Sequence, residues 1–302
     1  MQPNILKRNI NGVLLLDKPT GISSNGALQE IKKCYEAKKA GHTGTLDPLA
    51  CGLLPICFGE ATKFAHDMLN ADKCYQAVIR LGKTTTTGDA EGAVVRESVV
   101  RVNQSDIERA LSCYRGRFEQ IPPMYSALKY NGKPLYLYAR AGEIFSRESR
   151  AVTIYELKLD WFGEDEIGIT VSCSKGTYIR TLAQDIGNQL GCGAYLSKLT
   201  RTGVSHFDLQ SSFTMEWLKS VSQLERESVL LPIDVLVHSL PCHALNQSET
   251  FLFRRGQAVT INSFNSKLRV YGGQGEFLGL GEATAEGKLI PKRLIANSPL
   301  SH

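Results

Sequence analysis

Ile167-Gly168-Ile169-Thr170-Val171-Ser172-Cys173 is followed without a break by Ser174-Lys175-Gly176-Thr177-Tyr178-Ile179-Arg180-Thr181-Leu182-Ala183. The first segment alternates Ile167, Ile169, Val171 and Cys173 on one side, the period of a half-buried strand. The second carries Ile179, Leu182, Ala183, Ile186 and Leu190 at helical spacing and stops at Gly191. A strand thus turns directly into a helix. Working outward, Val13 to Leu16 reads as a short buried strand ended by Lys18-Pro19-Thr20-Gly21. Ala27, Leu28, Ile31 and Tyr35 follow at helical spacing, with Ser23, Ser24 and Asn25 as candidate caps. Residues 74–82 alternate again, with Tyr75, Ala77, Ile79 and Leu81 on one face. A helix is predicted over Ser105 to Arg115, with Ser105 and Glu108 as its capping box and Gly116 as its stop. Strands and helices are interspersed without regular βαβα alternation. That pattern predicts an α+β domain with a mixed, mostly antiparallel sheet flanked by helices.

Gln120 to Arg150 has a different texture, with Pro122-Pro123, Asn131-Gly132, Lys133-Pro134, four tyrosines and a spread of Lys and Arg. It reads as a partly irregular insertion, and long loops in compact domains are usually functional or disordered. From about Phe251 the pattern becomes short strands split by glycines. The expected division is a larger domain over residues 1–247 and a small β-rich domain over 248–302.

With 42% hydrophobic and 22% charged residues over 302 positions, the composition is that of an ordinary globular protein, not a disordered or fibrous one. No stretch approaches the about 18 apolar residues needed to span a bilayer, and Gly12 to Leu16 is too short for the core of a signal peptide. A cytoplasmic location is expected. The eight cysteines are scattered, with no C-x-x-C pair, which predicts reduced, mostly buried thiols and neither a disulfide framework nor a zinc site. A net charge of +5 permits a polyanionic partner without requiring one. Ser-His-Asp, P-loop and G-x-G-x-x-G motifs are absent.

The chemistry-bearing candidates are separated in sequence. Arg180 falls in the first turn of its helix, where the macrodipole disfavours a cation by about 0.3–1 kcal/mol. Pointing to solvent it would be harmless there; facing a buried carboxylate it would have a purpose. Gly176 allows the tight turn that would aim Tyr178 and Arg180 at a shared pocket. Asp47 is the leading candidate partner. It precedes Pro48 in a glycine-rich stretch, so its backbone is extended, although Asp-Pro is also an ordinary turn former. His42 could equally be a loop histidine, and Tyr75 a core aromatic.

Together the segments resemble the TruB-type tRNA pseudouridine synthases, the family that isomerises uridine 55 in the T-loop, in its stand-alone bacterial form. The likeness runs in order through Gly12-Val13-Leu14-Leu15-Leu16-Asp17-Lys18-Pro19-Thr20-Gly21, Gly41-His42-Thr43-Gly44-Thr45-Leu46-Asp47-Pro48, Gly59-Glu60-Ala61-Thr62-Lys63, Asp72-Lys73-Cys74-Tyr75 and Gly88-Asp89-Ala90-Glu91-Gly92. It continues through Pro122-Pro123-Met124-Tyr125-Ser126-Ala127-Leu128-Lys129, Ser174-Lys175-Gly176-Thr177-Tyr178-Ile179-Arg180 and Leu199-Thr200-Arg201. Arg254-Arg255-Gly256-Gln257 and Gly279-Leu280-Gly281-Glu282-Ala283 resemble a PUA domain.

The resemblance implies that a uridine is flipped into a pocket, its glycosidic bond broken, and the uracil rotated and rejoined through C5. Asp47 matches the catalytic aspartate and nucleophile, and Arg180 the cation that pairs with it and keeps it ionised. Tyr75 matches the tyrosine that stacks on the base with its hydroxyl near the C5 proton. Tyr178 and Leu199 match further pocket walls, and His42 a wedge that holds the T-loop open. Lys18, Lys63 and Asp89 are implied to support the site. The insertion is implied to close over the RNA. Since the isomerisation is redox-neutral and adds no group, no cofactor or metal is expected. The expected partner is tRNA, bound by a monomer that needs no obligate protein partner or guide RNA. A tRNA-folding chaperone that opens the T-loop, with catalysis secondary, is the alternative.

Overall fold

Val13, Leu14, Leu15 and Leu16 are all buried, and they divide by parity. Leu14 and Leu16 join one apolar cluster, while Val13 and Leu15 join another on the opposite side. A strand with both faces covered reads as a continuous apolar run, which is what these residues show. The strand Gly12–Lys18 lies in a ten-stranded sheet described within residues 7–262 and 266–296 of a computed structural model. Phe213–Thr214 is at one edge, followed in space by Gly12–Lys18, Cys51–Phe58, Ala194–Val204, Lys73–Leu81, Glu166–Cys173, Arg150–Phe162 and Gly116–Gln120. Ala40–His42 pairs with Cys51–Phe58 off this path, and Phe207–Asp208 with Ala194–Val204. The strands pair antiparallel except at two places: Phe213–Thr214 against Gly12–Lys18, and Ala194–Val204 against Cys51–Phe58. The sheet is mixed and mostly antiparallel, as expected.

The larger cluster lies beneath helices Ser24–Cys34, Gln104–Ser112 and Ile179–Gln189, through Ala27, Leu28, Ile31, Ile107, Leu111, Ile179, Leu182, Ala183 and Ile186. The first and third follow the apolar spacing read from the sequence. The second begins one residue earlier than expected and ends sooner. Asn103, not Ser105, is its cap, accepting from the Asp106 amide while the Asp106 carboxylate accepts from the Asn103 amide. Asparagine is among the strongest N-caps, and this choice moves Ser105 and Glu108 inside the helix.

The second cluster is covered by Ala65–Leu69, by short 3-10 turns and by part of the small C-terminal sheet. That sheet has the order Cys242–Ala244, Ser266–Tyr271, Phe277–Ala283, Lys288–Leu294, Val259–Thr260. Its first strand precedes the expected division near residue 247. Phe251 lies in a helix, Gln247–Arg254, rather than at the start of a run of strands. The Asn246–Glu249 capping box starts that helix, and Thr250 and Phe253 are its buried positions.

The two parts meet at Phe64, which is fully buried with its ring centroid 5.6 Å from that of Phe277 and 5.6 Å from the Arg293 guanidinium. Asp67 pairs with both Lys267 and Arg293 at the same junction.

The insertion is more ordered than its sequence suggests. A hairpin joins Lys129–Tyr130 to Lys133–Pro134 through Asn131 and Gly132, both at positive φ, the pattern favoured by tight hairpin turns. Helix Leu135–Arg140 follows, and Phe145 stacks on Tyr130 with ring centroids 4.7 Å apart. All eight cysteines are free, but only Cys57, Cys173 and Cys192 are buried, while Cys113 and Cys242 are exposed. Among the described residues no helix is long and apolar enough to cross a membrane.

Truncating Phe64→Ala removes packing shared by the large sheet and the C-terminal sheet. Urea unfolding is expected to show a loss of about 3–5 kcal/mol. A loss within the about 0.5 kcal/mol typical of surface changes would mean that this junction does not hold the two parts together.

Candidate active site

The Asp47 turn is held from three sides. Ser24, at the start of its helix, donates through Oγ to the Leu46 carbonyl at 2.9 Å and accepts from the Leu46 amide at 2.7 Å. The Gly21 amide donates to the Pro48 carbonyl at 2.8 Å, and the Ala50 amide closes the turn onto the Asp47 carbonyl at 3.1 Å. Lys18, fully buried, donates to the carbonyls of Pro19 at 2.8 Å and Ile22 at 2.7 Å, fixing the loop that carries Gly21. Burial lowers the Lys18 pKa to about 8, against the pull of nearby Cys51 and Asp47. On the next strand Gly52, at φ 97°, admits the close approach of Ala194–Val204: a Cβ there would stand 2.4 Å from the Arg201 carbonyl oxygen.

Arg180 does not point to solvent. Its side chain is 6% exposed, and Nη2 donates to Asp47 Oδ2 at 2.7 Å and to the Tyr125 carbonyl at 2.9 Å. Nη1 stands 3.1 Å from Asp89 Oδ2 and donates to the Thr87 carbonyl at 3.3 Å. The position in the first helical turn is thus offset by two carboxylates and two carbonyls. Gly176, at φ 80°, makes the turn that delivers this helix. The carboxylates differ in access: Asp89 is 4% exposed and held by Thr87 and the Glu91 amide, whereas Asp47 is 43% exposed. One cation therefore serves a sealed carboxylate and an open one.

Partial burial raises the Asp47 pKa above its ordinary value; Arg180 and Lys18 oppose the rise and Asp89 adds to it. Arg180 therefore limits the shift without reversing it.

Tyr178 caps the Arg180 helix, and its backbone is gripped at both ends by buried Gln120. The Tyr178 amide donates to Gln120 Oε1 at 2.8 Å, and Gln120 Nε2 donates to the Tyr178 carbonyl at 3.1 Å. The base of the insertion is thereby fixed to the site. Tyr75 faces inward from the centre of the sheet, 8% exposed, and burial raises its pKa. Leu199, partly buried, sits on the neighbouring strand opposite Ala77. His42, half-buried at the end of its strand, accepts from the Gly44 amide at 3.4 Å; burial and then Arg201 lower its pKa, so it is neutral at pH 7.

Lys63 is not brought into this cluster. It pairs with Glu60 at 2.7 Å and donates to the Leu294 carbonyl at 2.9 Å, joining the two parts of the chain. In sequence Ser24 is only a candidate cap, Gln120 only the start of the insertion and Arg201 only part of a family segment; their places at the site come from long-range contacts. Among the described residues no group of three or more His, Cys, Asp or Glu could hold a metal.

Ser24→Ala removes both Leu46 hydrogen bonds and leaves a buried amide unpaired, at a cost of about 1–3 kcal/mol. The neighbouring cap change Ser23→Ala is the control, at about 1 kcal/mol in helix stability. Turnover measured on both folded variants is expected to fall for Ser24→Ala alone; equal turnover would mean that the Asp47 turn holds itself.

Residues 32–179 match the model of the TruB family pseudouridylate synthase N-terminal domain. Residues 180–238 match the tRNA pseudouridylate synthase B C-terminal domain, and 241–295 the pseudouridine synthase II TruB C-terminal domain. The tRNA pseudouridine synthase B of Methylobacillus flagellatus is 52% identical, covering 98% of each chain. That of Pseudomonas fluorescens is 49% identical over 96% of this chain and 97% of its own. A solved H/ACA ribonucleoprotein, bound to a substrate RNA containing 2′-deoxyuridine, shares the fold at a TM-score of 0.72 and 22% identity, covering 95% of this chain and 85% of its own. The chain belongs to the TruB family of pseudouridine synthases.

Proposed function

We propose that the protein converts uridine 55 in the T-loop of tRNA to pseudouridine, with Asp47 as the nucleophile. The observation that carries this reading is the half-open Asp47 carboxylate on buried Arg180, beside an inward-facing tyrosine. Breaking a glycosidic bond makes the sugar electron-poor, and an ionised carboxylate beside it lowers that barrier, as in retaining glycosidases. The relatives named tRNA pseudouridine synthase B, 52% and 49% identical, support tRNA as the substrate.

In this reading the flipped uracil lies between Tyr75, Tyr178 and Leu199, and neutral His42 wedges into the opened T-loop. Asp89 keeps Arg180 in place, and Lys18 keeps the Asp47 turn. Freed from C1′, the base rotates and rejoins through C5. The C5 proton is then lost near the Tyr75 hydroxyl, and N1 takes one up. The insertion, with Lys133 over the Tyr138 ring at 4.4 Å, supplies cations and aromatic faces to the RNA. Residues from 248 onward act as a PUA-like RNA-binding part. The protein works in the cytoplasm as a monomer, without guide RNA, protein partner or cofactor.

Asp47→Asn is expected to abolish pseudouridine formation in tRNA while leaving tRNA affinity within about tenfold, or 1.4 kcal/mol. Normal turnover by that variant would remove Asp47 from the chemistry. A pH series gives an independent check. Activity needs ionised Asp47, whose pKa is raised, so the acid limb of the single-turnover rate is expected above the ordinary aspartate value of about 3.9. A carboxyl whose folded pKa is raised adds stability that is fully present at low pH and is lost as pH rises through that pKa. Protonating Asp47 therefore does not unfold the protein, and far-UV circular dichroism should persist where activity has gone. An acid limb that coincides with unfolding would contradict this.

A further inference from the structure

Arg201 is the largest fully buried side chain of the described residues, 2% exposed in the middle of the sheet. Nε donates to the Leu53 carbonyl at 2.7 Å and Nη1 reaches the Thr45 carbonyl at 3.5 Å. Nη2 meets no hydrogen-bond acceptor among the described residues, and no carboxylate there pairs with the guanidinium. Burying an arginine without a carboxylate partner is costly, and the cationic neighbours make it costlier. Lys18 and Lys73 lie close enough for Arg201 to lower their pKa values, and His42 feels it too.

What Arg201 does face is Tyr75. The two are direct partners across the antiparallel pairing of Ala194–Val204 with Lys73–Leu81, so their side chains leave the same face. The phenol is the group that acts most strongly on the guanidinium charge. In return the guanidinium opposes the effect of burial on the phenol, whereas Asp47 reinforces it. On balance burial keeps Tyr75 a neutral phenol, so it must shed its own proton before it can accept one, and the fixed cation beside it lowers the cost of that phenolate.

We propose that Arg201 is a positioning residue that readies Tyr75 to take the C5 proton in the last step of the isomerisation. This rests on the proposed function. After C1′–C5 bond formation, C5 still carries its hydrogen, and the ring holds a C6=N1 double bond. Tyr75, its phenol proton first passed to solvent, takes the C5 proton on its oxygen. The C5–H pair becomes the C5=C6 bond, and the C6=N1 pair moves to N1, which takes a proton from water. The base thus gains at N1 the proton it loses at C5, the proton Tyr75 gave to solvent neutralises the hydroxide left at N1, and Tyr75 ends as it began, a neutral phenol.

A purely structural alternative exists, because Arg201 also props the Thr45 carbonyl, two residues before Asp47. The two roles differ in which step suffers. The test uses the full-length protein and tRNA transcripts carrying hydrogen or deuterium at C5 of uridine, in single-turnover assays on wild type, Arg201→Met and Arg201→Lys. Arg201→Met is expected to slow product formation by roughly 10²-fold, the lower end of a general-base contribution, and to show an isotope effect larger than that of wild type. Arg201→Lys keeps a cation at shorter reach and should recover part of the rate. In a Tyr75→Phe background, Arg201→Met should add little. If Arg201→Met loses its cooperative melt, Arg201→Lys alone decides, by a slower rate with the isotope effect raised. A rate loss with the wild-type isotope effect, or no rate loss, overturns the proposal. Failure of the wild-type protein to form pseudouridine would instead remove the functional reading itself, and the wild-type arm reports that separately.

Discussion

Arg180 donates to Asp47 at 2.7 Å and stands 3.1 Å from Asp89, and the cost of burying that charge dictates much of the surrounding structure. A cation at 6% exposure, placed against its own helix dipole, stays there only if its partners are held in register. Asp89 meets this need by being locked itself, through Thr87 and the Glu91 amide. Asp47 meets it differently. Its turn is pinned by Ser24, Gly21 and Lys18, so the carboxylate can remain open to a ligand without drifting from Arg180. The Tyr125 carbonyl, from the insertion, completes the cation's shell, linking that segment to the Asp47–Arg180 centre.

The sheet explains why residues far apart in sequence converge. Ala194–Val204 lies between Cys51–Phe58 and Lys73–Leu81, so Leu199 and Arg201 stand beside both the strand that follows the Asp47 turn and the strand that carries Tyr75. The helix bearing Arg180 packs over the same sheet. Preorganisation of this kind places charged groups before substrate arrives, which is where much of an enzyme's electrostatic advantage resides.

Much of this could be read from the chain. Arg180 in a first helical turn raised the question of a partner, which local pattern left open and the family resemblance answered with Asp47. Strand alternation turned Tyr75 inward, as it would any core aromatic, and only the family resemblance gave it a role. The α+β class followed from interspersed elements without βαβα rhythm. Other features depend on long-range pairing that local pattern does not carry. Arg201 resembles any surface arginine until the strand register sets it opposite Tyr75, more than a hundred residues away. Ser24 reads as a candidate helix cap, but Ser23 takes that place, and the task of Ser24 appears only when Leu46 folds back onto it. Lys63 matches a family segment yet is drawn to Glu60 and the Leu294 carbonyl, because the C-terminal part docks there. The helix Gln247–Arg254 was hidden by the glycine-rich texture around it, although its Asn246–Glu249 box was present in the sequence.

The central claim is that the Asp47–Arg180 centre rearranges one flipped uridine in tRNA. Position-by-position mapping of pseudouridine in unmodified tRNA, after incubation with the purified protein alone, tests it most directly. A single new pseudouridine at position 55 of the T-loop is expected. No pseudouridine, or pseudouridine at positions outside the T-loop, would contradict it.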